Sequence, residues 1–97
     1  MELHVFARFH AAAGRDQRMS DVLHARVPAV RQEPGCLYIE ACRSTRDPAL
    51  FLLFSRWEDE PAFQVHAELQ ETNAFIATME SLSDRPVDVH RSRPLSA

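Results

Sequence analysis

The sequence predicts an α+β domain with the element order β-α-β-β-α-β and a four-stranded antiparallel sheet. Three observations support this fold class. Four stretches either alternate apolar and polar side chains or are continuously apolar, as strands are. Two stretches repeat apolar residues at helical spacing, and turn-forming residues separate these segments. The 97 residues predict a single domain, with residues 93–97 as a C-terminal tail.

The first half of the chain reads as a strand followed by a helix. Residues 2–10 alternate strictly and predict the first strand. From Arg15 the period becomes helical, and Pro28 should kink this helix or begin its last turn. Glu33-Pro34-Gly35 then ends it, because proline disfavours helix before it and glycine accepts a left-handed turn. The apolar positions of the helix are Met19, Val22, Leu23, Val27 and Val30.

The second half reads as a hairpin, a broken helix and a last strand. Residues 36–43 and 50–57 are joined by a turn with Asp47-Pro48, so they predict an antiparallel pair. Asp59 caps a helix that has Pro61 in its first turn, and a further helical stretch covers residues 73–82. Residues 87–91 alternate again. Together these elements form the split β-α-β arrangement of a ferredoxin-like fold.

The central strand predicts a partner copy. Residues 50–57 (LFLLFSRW) are apolar on both faces, and the first strand is partly so. Two helices cover only one face of a four-stranded sheet. A second sheet from another copy would cover the other face, so we expect a homodimer.

The strand over residues 36–43 should place Leu37, Ile39 and Ala41 on one face. Cys36 and Cys42 would then share the opposite face. At that separation they are too far apart for an ordinary disulfide, so we expect two reduced thiols in a cytoplasmic protein.

Composition excludes several classes of partner. The net charge of −3 argues against nucleic acid, which requires a concentrated basic surface. No segment approaches the ~20 apolar residues of a membrane span, and the N-terminus does not have the pattern of a signal peptide. No glycine-rich phosphate loop is present, and no set of side chains has metal-ligand spacing, because His4 and His10 lie too far apart on one strand. We therefore expect neither a cofactor nor a metal.

Several motifs resemble the antibiotic biosynthesis monooxygenase (ABM) family over nearly the whole chain. They are Phe6-Ala7-Arg8-Phe9, Gly14-Arg15, Glu33-Pro34-Gly35-Cys36-Leu37, Arg56-Trp57-Glu58, Ala62-Phe63, His66 and Phe75. The resemblance implies a dimeric α+β barrel in which two sheets pack together. It also implies one of several activities, since the family includes cofactor-free monooxygenases of phenols and quinols, haem-degrading enzymes and isomerase-like members.

The haem-degrading branch carries an asparagine, a tryptophan and a histidine at positions that align here with Ala7, His66 and Ile76. All three are absent, which argues against haem degradation. A second histidine that often follows in other members is replaced by Glu71.

The resemblance implies a substrate cavity with His66 as its catalytic base, since an imidazole can take a phenolic proton near neutral pH. Trp57 and Phe63 would form its walls, and Ala7, Phe9 and Tyr38 would complete the substrate-binding set. We therefore predict a cofactor-independent monooxygenase that oxidises a small aromatic or quinol-type molecule with O₂.

Simpler structural interpretations remain open for each of these residues. His66 could be bonded to a backbone carbonyl at the helix end, Trp57 could be a core anchor, and Tyr38 could lie at the dimer seam. The alternatives for function are a non-catalytic dimer that binds a hydrophobic metabolite, and an isomerase or detoxification enzyme for a small oxygenated metabolite.

Overall fold

A computed structural model describes residues 1–96. Ala97, the last residue of the predicted tail, lies outside this range. Three helices and four strands follow one another in the predicted order. They are β1 (Leu3–His10), α1 (Asp16–Arg31), β2 (Cys36–Arg43), β3 (Leu50–Trp57), α2 (Glu60–Glu68), α3 (Gln70–Leu82) and β4 (Asp88–Ser92).

The four strands form one antiparallel sheet in the order β2-β3-β1-β4. This confirms the predicted α+β, ferredoxin-like architecture, with the two most apolar strands in the middle. The helices cover one face of the sheet. Within residues 1–96, no helix combines the length and the apolar character needed to cross a membrane.

Helix boundaries follow local chemistry. The Asp59 side chain accepts a hydrogen bond from the backbone N–H of Ala62 at 2.9 Å and so caps α2, as predicted. Only Leu69, in an extended conformation, separates α2 from α3, so the helical layer is broken in two as expected. Pro28 lies in the last turn of α1, which continues to Arg31.

Strand β2 departs from the predicted alternation. A bulge between Cys36 and Tyr38 shifts the register against β3. Leu37 is consequently 46% exposed, whereas Ile39 and Ala41 point toward the helices as predicted. The expectation that Cys36 and Cys42 share a face is also wrong, because the bulge turns Cys36 toward the core while Cys42 stays exposed.

The face of the sheet without helices carries an aromatic cluster. The Phe54 ring lies at its centre, 4.9 Å from the ring of Phe6 and 5.9 Å from that of Tyr38. Phe6 is 49% exposed and Tyr38 is 44% exposed, with Leu52 also open to solvent. The apolar character predicted for both faces is therefore present, and this face is uncovered in a single chain.

His10 ties two loops to the end of β1. Its Nε2 is 2.8 Å from Asp47, which precedes β3, and its Nδ1 is 2.9 Å from Asp84, which follows α3. Ionised carboxylates only accept hydrogen bonds, so both contacts together require a doubly protonated ring. The bond to Asp47 foremost, with a further contribution from Asp84, raises the pKa of His10.

The turn between α1 and β2 depends on Gly35. Its φ of +84° lies in the left-handed region, and its carbonyl accepts a 2.9 Å hydrogen bond from the N–H of Glu58. A Cβ at this position would lie 2.5 Å from the Cβ of Ala62. This turn therefore packs directly against the first turn of α2, at a distance that only glycine permits.

We predict that Gly35→Ala destabilises the fold more than Gly14→Ala does. Gly14 also has a positive φ, of 78°, but nothing lies within 4 Å of a Cβ built there. Gly14→Ala should therefore lower the free energy of unfolding by about 1–2 kcal/mol from backbone strain alone. Gly35→Ala adds the collision with Ala62 and should cost more. Urea unfolding of both variants at one protein concentration measures the difference, and equal costs would contradict the prediction.

Candidate functional site

A cavity of about 190 Å³ lies between the helix-covered face of the sheet and helices α2 and α3. It is located where the two buried clusters of the core meet. Ten of its lining residues are apolar, from Val5 on β1 to Val89 on β4, and the polar ones are Ser55, His66, Thr72, Asn73 and Arg91. An apolar cavity with a few convergent polar groups is the usual form of a small-molecule site.

A second groove, of about 220 Å³, lies between α1 and β2. Its histidine, His24, is exposed, and its Nδ1 is engaged with the carbonyl of Ser20 on its own helix at 2.9 Å. Within residues 1–96, the hydrogen-bond partners of His24 both belong to Ser20, and no carboxylate orients the ring. The cavity that contains His66 is therefore the better candidate site.

His66 is positioned by the last turn of α2 and by two aromatic neighbours. Its side chain is only 12% exposed. The imidazole packs against the indole of Trp57, with ring centroids 4.7 Å apart, and against the Phe63 ring at 5.4 Å. These contacts hold the ring at the cavity wall in one orientation.

A partly buried carboxylate sets the protonation pattern of His66. The Nδ1 atom lies 2.6 Å from Oε1 of Glu33, in the turn that follows α1. Because an ionised carboxylate can only accept, Nδ1 must carry the hydrogen and donate it. In the neutral ring the lone pair is then on Nε2, and this is the arrangement that a general base requires.

Arg26 completes a three-residue chain behind the cavity. Its Nη2 lies 3.3 Å from the second oxygen of Glu33 and donates to the hydroxyl of Thr72 at 2.8 Å. Arg26 on α1 and His66 on α2 therefore hold the two carboxylate oxygens from two sides, and Thr72 on α3 fixes the guanidinium of Arg26. Among the polar side-chain atoms of residues 1–96, Nε of Arg26 is buried without a hydrogen-bond partner.

The pKa of His66 is lowered, and burial is the main cause. The hydrogen bond and the charge of Glu33 raise it, while the nearby charge of Arg26 lowers it further. The net direction is downward, so the ring is neutral near pH 7 and can accept a proton there. The site thus contains a base in its unprotonated form, oriented by a carboxylate.

The structure brings four of the six sequence-predicted site residues together. Ala7, Phe9, Phe63 and His66 all line the cavity. Trp57 lies behind His66 instead, fully buried, with its Nε1 donating to the Ser55 hydroxyl at 3.0 Å. Tyr38 is on the opposite face of the sheet, next to Phe54, and is not part of the cavity.

Sequence reasoning missed Glu33, Arg26, Thr72 and Arg91. It used Glu33 only as part of a helix-ending turn, and it considered a backbone carbonyl as the partner of His66. Glu33 lies in the turn that ends one helix, and His66 lies in the next helix. This order could have suggested that the two side chains form a hydrogen-bonded pair. Nothing local in the sequence indicated that Arg26 or Arg91 belongs to the same site.

Comparison with known proteins gives one family and many similar folds. The family model described as antibiotic biosynthesis monooxygenase matches residues 3–78. Rv0793 from Mycobacterium tuberculosis is 25% identical, with a TM-score of 0.90, over 98% of this chain and 96% of that one. PA3566 from Pseudomonas aeruginosa is 26% identical, with a TM-score of 0.87, over 97% and 94%.

A solved structure named antibiotic biosynthesis monooxygenase is 19% identical, with a TM-score of 0.88, over 96% of this chain and 98% of that one. At that identity the likeness shows the fold alone. No curated protein is significantly similar to this chain.

We predict that Glu33→Gln lowers the pKa of His66. The substitution removes the one group that raises this pKa and leaves burial and the Arg26 charge unopposed. The imidazole proton signals of His66, followed by NMR from pH 4 to 8, should titrate at lower pH in the variant. Glu71→Gln is the control, because it removes an exposed carboxylate of α3. An unchanged or raised pKa in Glu33→Gln would show that Glu33 does not set the state of the ring.

Proposed function

This chain belongs to the antibiotic biosynthesis monooxygenase family, and from that premise we propose that it is a cofactor-independent monooxygenase of a small aromatic or quinol-type substrate. The observation that carries the proposal is the hydrogen bond between Nδ1 of His66 and Glu33 at the wall of an otherwise apolar cavity. It supplies one oriented base and few competing polar groups. That is what activation of a phenol or quinol requires.

The first step is removal of a proton from the substrate hydroxyl by Nε2 of His66. Glu33 stabilises the imidazolium that forms, because its carboxylate accepts from Nδ1 and lies at 2.6 Å. The phenolate that remains is electron-rich enough to transfer an electron to O₂. The resulting radical pair combines to form a carbon–oxygen bond at the activated ring carbon.

The peroxide formed in this way then breaks its O–O bond. One oxygen atom stays on the ring carbon as a carbonyl, and the other leaves as water with the hydrogen from that carbon and the proton returned by His66. The substrate supplies all four electrons that reduce O₂, two for each of its oxygen atoms. A phenol and O₂ thus become a quinone and water, with no external reductant.

The apolar walls support this chemistry by excluding water. Phe63 borders the base, and Phe9 packs edge-on against Phe75 with ring centroids 6.0 Å apart, so aromatic surface closes this part of the cavity. Ala7, on the same face of β1 as Phe9, contributes only a methyl group to the wall. A dry cavity favours binding of an aromatic ring and protects the peroxide from side reactions.

Haem degradation is not proposed. The three positions that would carry its asparagine, tryptophan and histidine hold Ala7, His66 and Ile76. All three line the cavity, so the differences fall within the site itself.

We expect oxygen uptake with a panel of hydroquinones, naphthols and anthrones, and a strong dependence on His66. His66→Ala should lower kcat/KM at least ~100-fold, the usual contribution of a positioned general base. His24→Ala is the matched control, since His24 is an exposed histidine outside this cavity. Incorporation of ¹⁸O from ¹⁸O₂ into the product identifies monooxygenation.

Two results would contradict the proposed mechanism: no turnover of any member of the panel, or unchanged turnover in His66→Ala. Ligand-dependent thermal stabilisation without any product would instead identify a metabolite-binding dimer.

We also propose that the protein acts as a homodimer through the uncovered face of the sheet. Phe6, Tyr38 and Leu52 expose apolar surface around Phe54, and no element formed by residues 1–96 covers it. A second copy related by a twofold axis would bury the same patch on both chains. Helices would then cover the two outer faces of the paired sheets.

We predict that Phe6→Glu shifts the protein to a monomer. The substitution would place a carboxylate in each copy of the patch, and the two carboxylates would have to be desolvated together on association, which is costly. Light scattering after size-exclusion chromatography at micromolar concentration measures the mass. Val65→Glu is the control. Val65 is also apolar and is more exposed than Phe6, but it lies on the outer surface of α2. A wild-type monomer, or a Phe6→Glu dimer, would contradict the proposed interface.

A further inference from the structure

Arg91 gives the cavity a positive charge that the proposed chemistry does not use. Among the described residues that line the cavity, it is the one permanent cation, and none is a carboxylate. Glu33 lies behind His66, and its charge is shared between His66 and Arg26. The lining therefore favours a negatively charged ligand over a neutral one of the same shape.

Arg91 extends from the edge of the sheet across to α2. It is on β4, opposite Val5 of β1. Its guanidinium carbon lies 4.8 Å above the centre of the Phe63 ring, and its Nη1 is 2.9 Å from Gln64 and 3.2 Å from Glu60. The side chain is 36% exposed, so the guanidinium is at the boundary between the cavity and solvent.

These contacts leave Arg91 able to bind a ligand. Both hydrogen bonds are made by Nη1, so they do not use Nε or Nη2, which present a fork that matches a carboxylate. The ion pair with Glu60 is exposed on both sides and contributes little. A ligand carboxylate could therefore replace or share this contact.

We infer that the substrate is a small hydroxylated aromatic carboxylate, with its carboxylate on Arg91 and its hydroxyl on His66. His66 and Arg91 both contact the Phe63 ring, so they border the same part of the cavity wall, and the inferred substrate ring lies beside Phe63. The cavity of about 190 Å³ is somewhat larger than the ~150 Å³ apolar cavity that holds benzene. This volume matches one substituted ring, the size of the smallest molecules in the oxygen-uptake panel.

The two polar groups of the substrate would then have different surroundings. The carboxylate stays at the mouth, where partial hydration keeps its desolvation cost small. The hydroxyl enters the drier interior, where the buried base takes its proton. This inference rests on the proposed function for the role of His66, but the binding preference can be measured without any turnover.

The test compares 2,5-dihydroxybenzoate with hydroquinone, which differs from it by the carboxylate. Anaerobic calorimetry should show that the wild type binds 2,5-dihydroxybenzoate about tenfold or more tightly, as a charge-assisted bidentate pair at a partly exposed site would give. Arg91→Gln should remove this preference and leave hydroquinone affinity within about twofold. Arg91→Lys should keep part of it, since the charge remains but the fork is lost.

Two further variants sharpen the result. Arg46→Gln removes an exposed arginine from the β2–β3 turn and should change neither affinity. Glu60→Gln removes the group that competes for Arg91 and should tighten 2,5-dihydroxybenzoate binding a few-fold. Three results would each overturn the inference. They are equal affinity of the wild type for the two ligands, no binding of 2,5-dihydroxybenzoate by the wild type, and weakening of the binding of both ligands by the same factor in Arg91→Gln.

The outcomes separate this inference from the proposed function. If the anaerobic preference depends on Arg91 but neither ligand consumes oxygen, the substrate-binding assignment stands and the monooxygenase proposal fails. If hydroquinones are oxidised in a His66-dependent way with no preference for the carboxylate, the monooxygenase proposal stands and the role of Arg91 is wrong.

Discussion

The hydrogen bond from His66 to Glu33 joins the two halves of the domain, and the candidate site depends on it. Glu33 belongs to the turn that ends α1, and His66 to the last turn of α2. The two meet because Gly35 allows that turn to approach Ala62 more closely than any side chain would permit. The tight packing of a turn against a helix therefore determines which nitrogen of the imidazole is free.

The pairing of His66 with Glu33 also stabilises a carboxylate that is largely removed from water. Burial alone would leave a carboxylate at position 33 without solvation, which is costly. Arg26 and His66 replace the lost water around this carboxylate with a charge and hydrogen bonds, and Thr72 in turn accepts a hydrogen bond from Arg26. The same burial lowers the pKa of His66 while Glu33 raises it, so the ring remains a base near neutral pH and the imidazolium formed on proton transfer still has a partner.

Most of the fold could be predicted from the sequence because it follows from periods of 2.0 and 3.6 residues. The alternation in β1 correctly separated Ala7 and Phe9 from Phe6, and the broken helix followed from its apolar spacing. The bulge beside Leu37 could not be predicted, because the alternation of residues 36–43 carries no local sign of the extra residue. The predicted strand assigned that leucine to the wrong environment for this reason.

The site was less predictable than the fold because its parts are distant in the sequence. Glu33 and His66 are 33 residues apart, and Arg26 and Thr72 are 46 apart. Only the packing of α1, α2 and α3 on one sheet brings them together. Trp57 is ambiguous for a different reason: an aromatic residue on a buried strand can line a cavity or support the residue that does, and here it lies beneath His66.

The two proposed roles of the sheet, substrate binding and dimerisation, lie on opposite faces of β1. Ala7 and Phe9 face the cavity, whereas Phe6, which directly precedes Ala7, packs on Phe54 on the other side. Because successive side chains of a strand point to opposite faces, a change on one face reaches the other mainly through the backbone. Covering the aromatic cluster with a second copy would therefore leave the mouth of the cavity open, since Arg91 reaches across it to α2 on the helix-covered side. Association and substrate entry can occur on the same small domain without competing for surface.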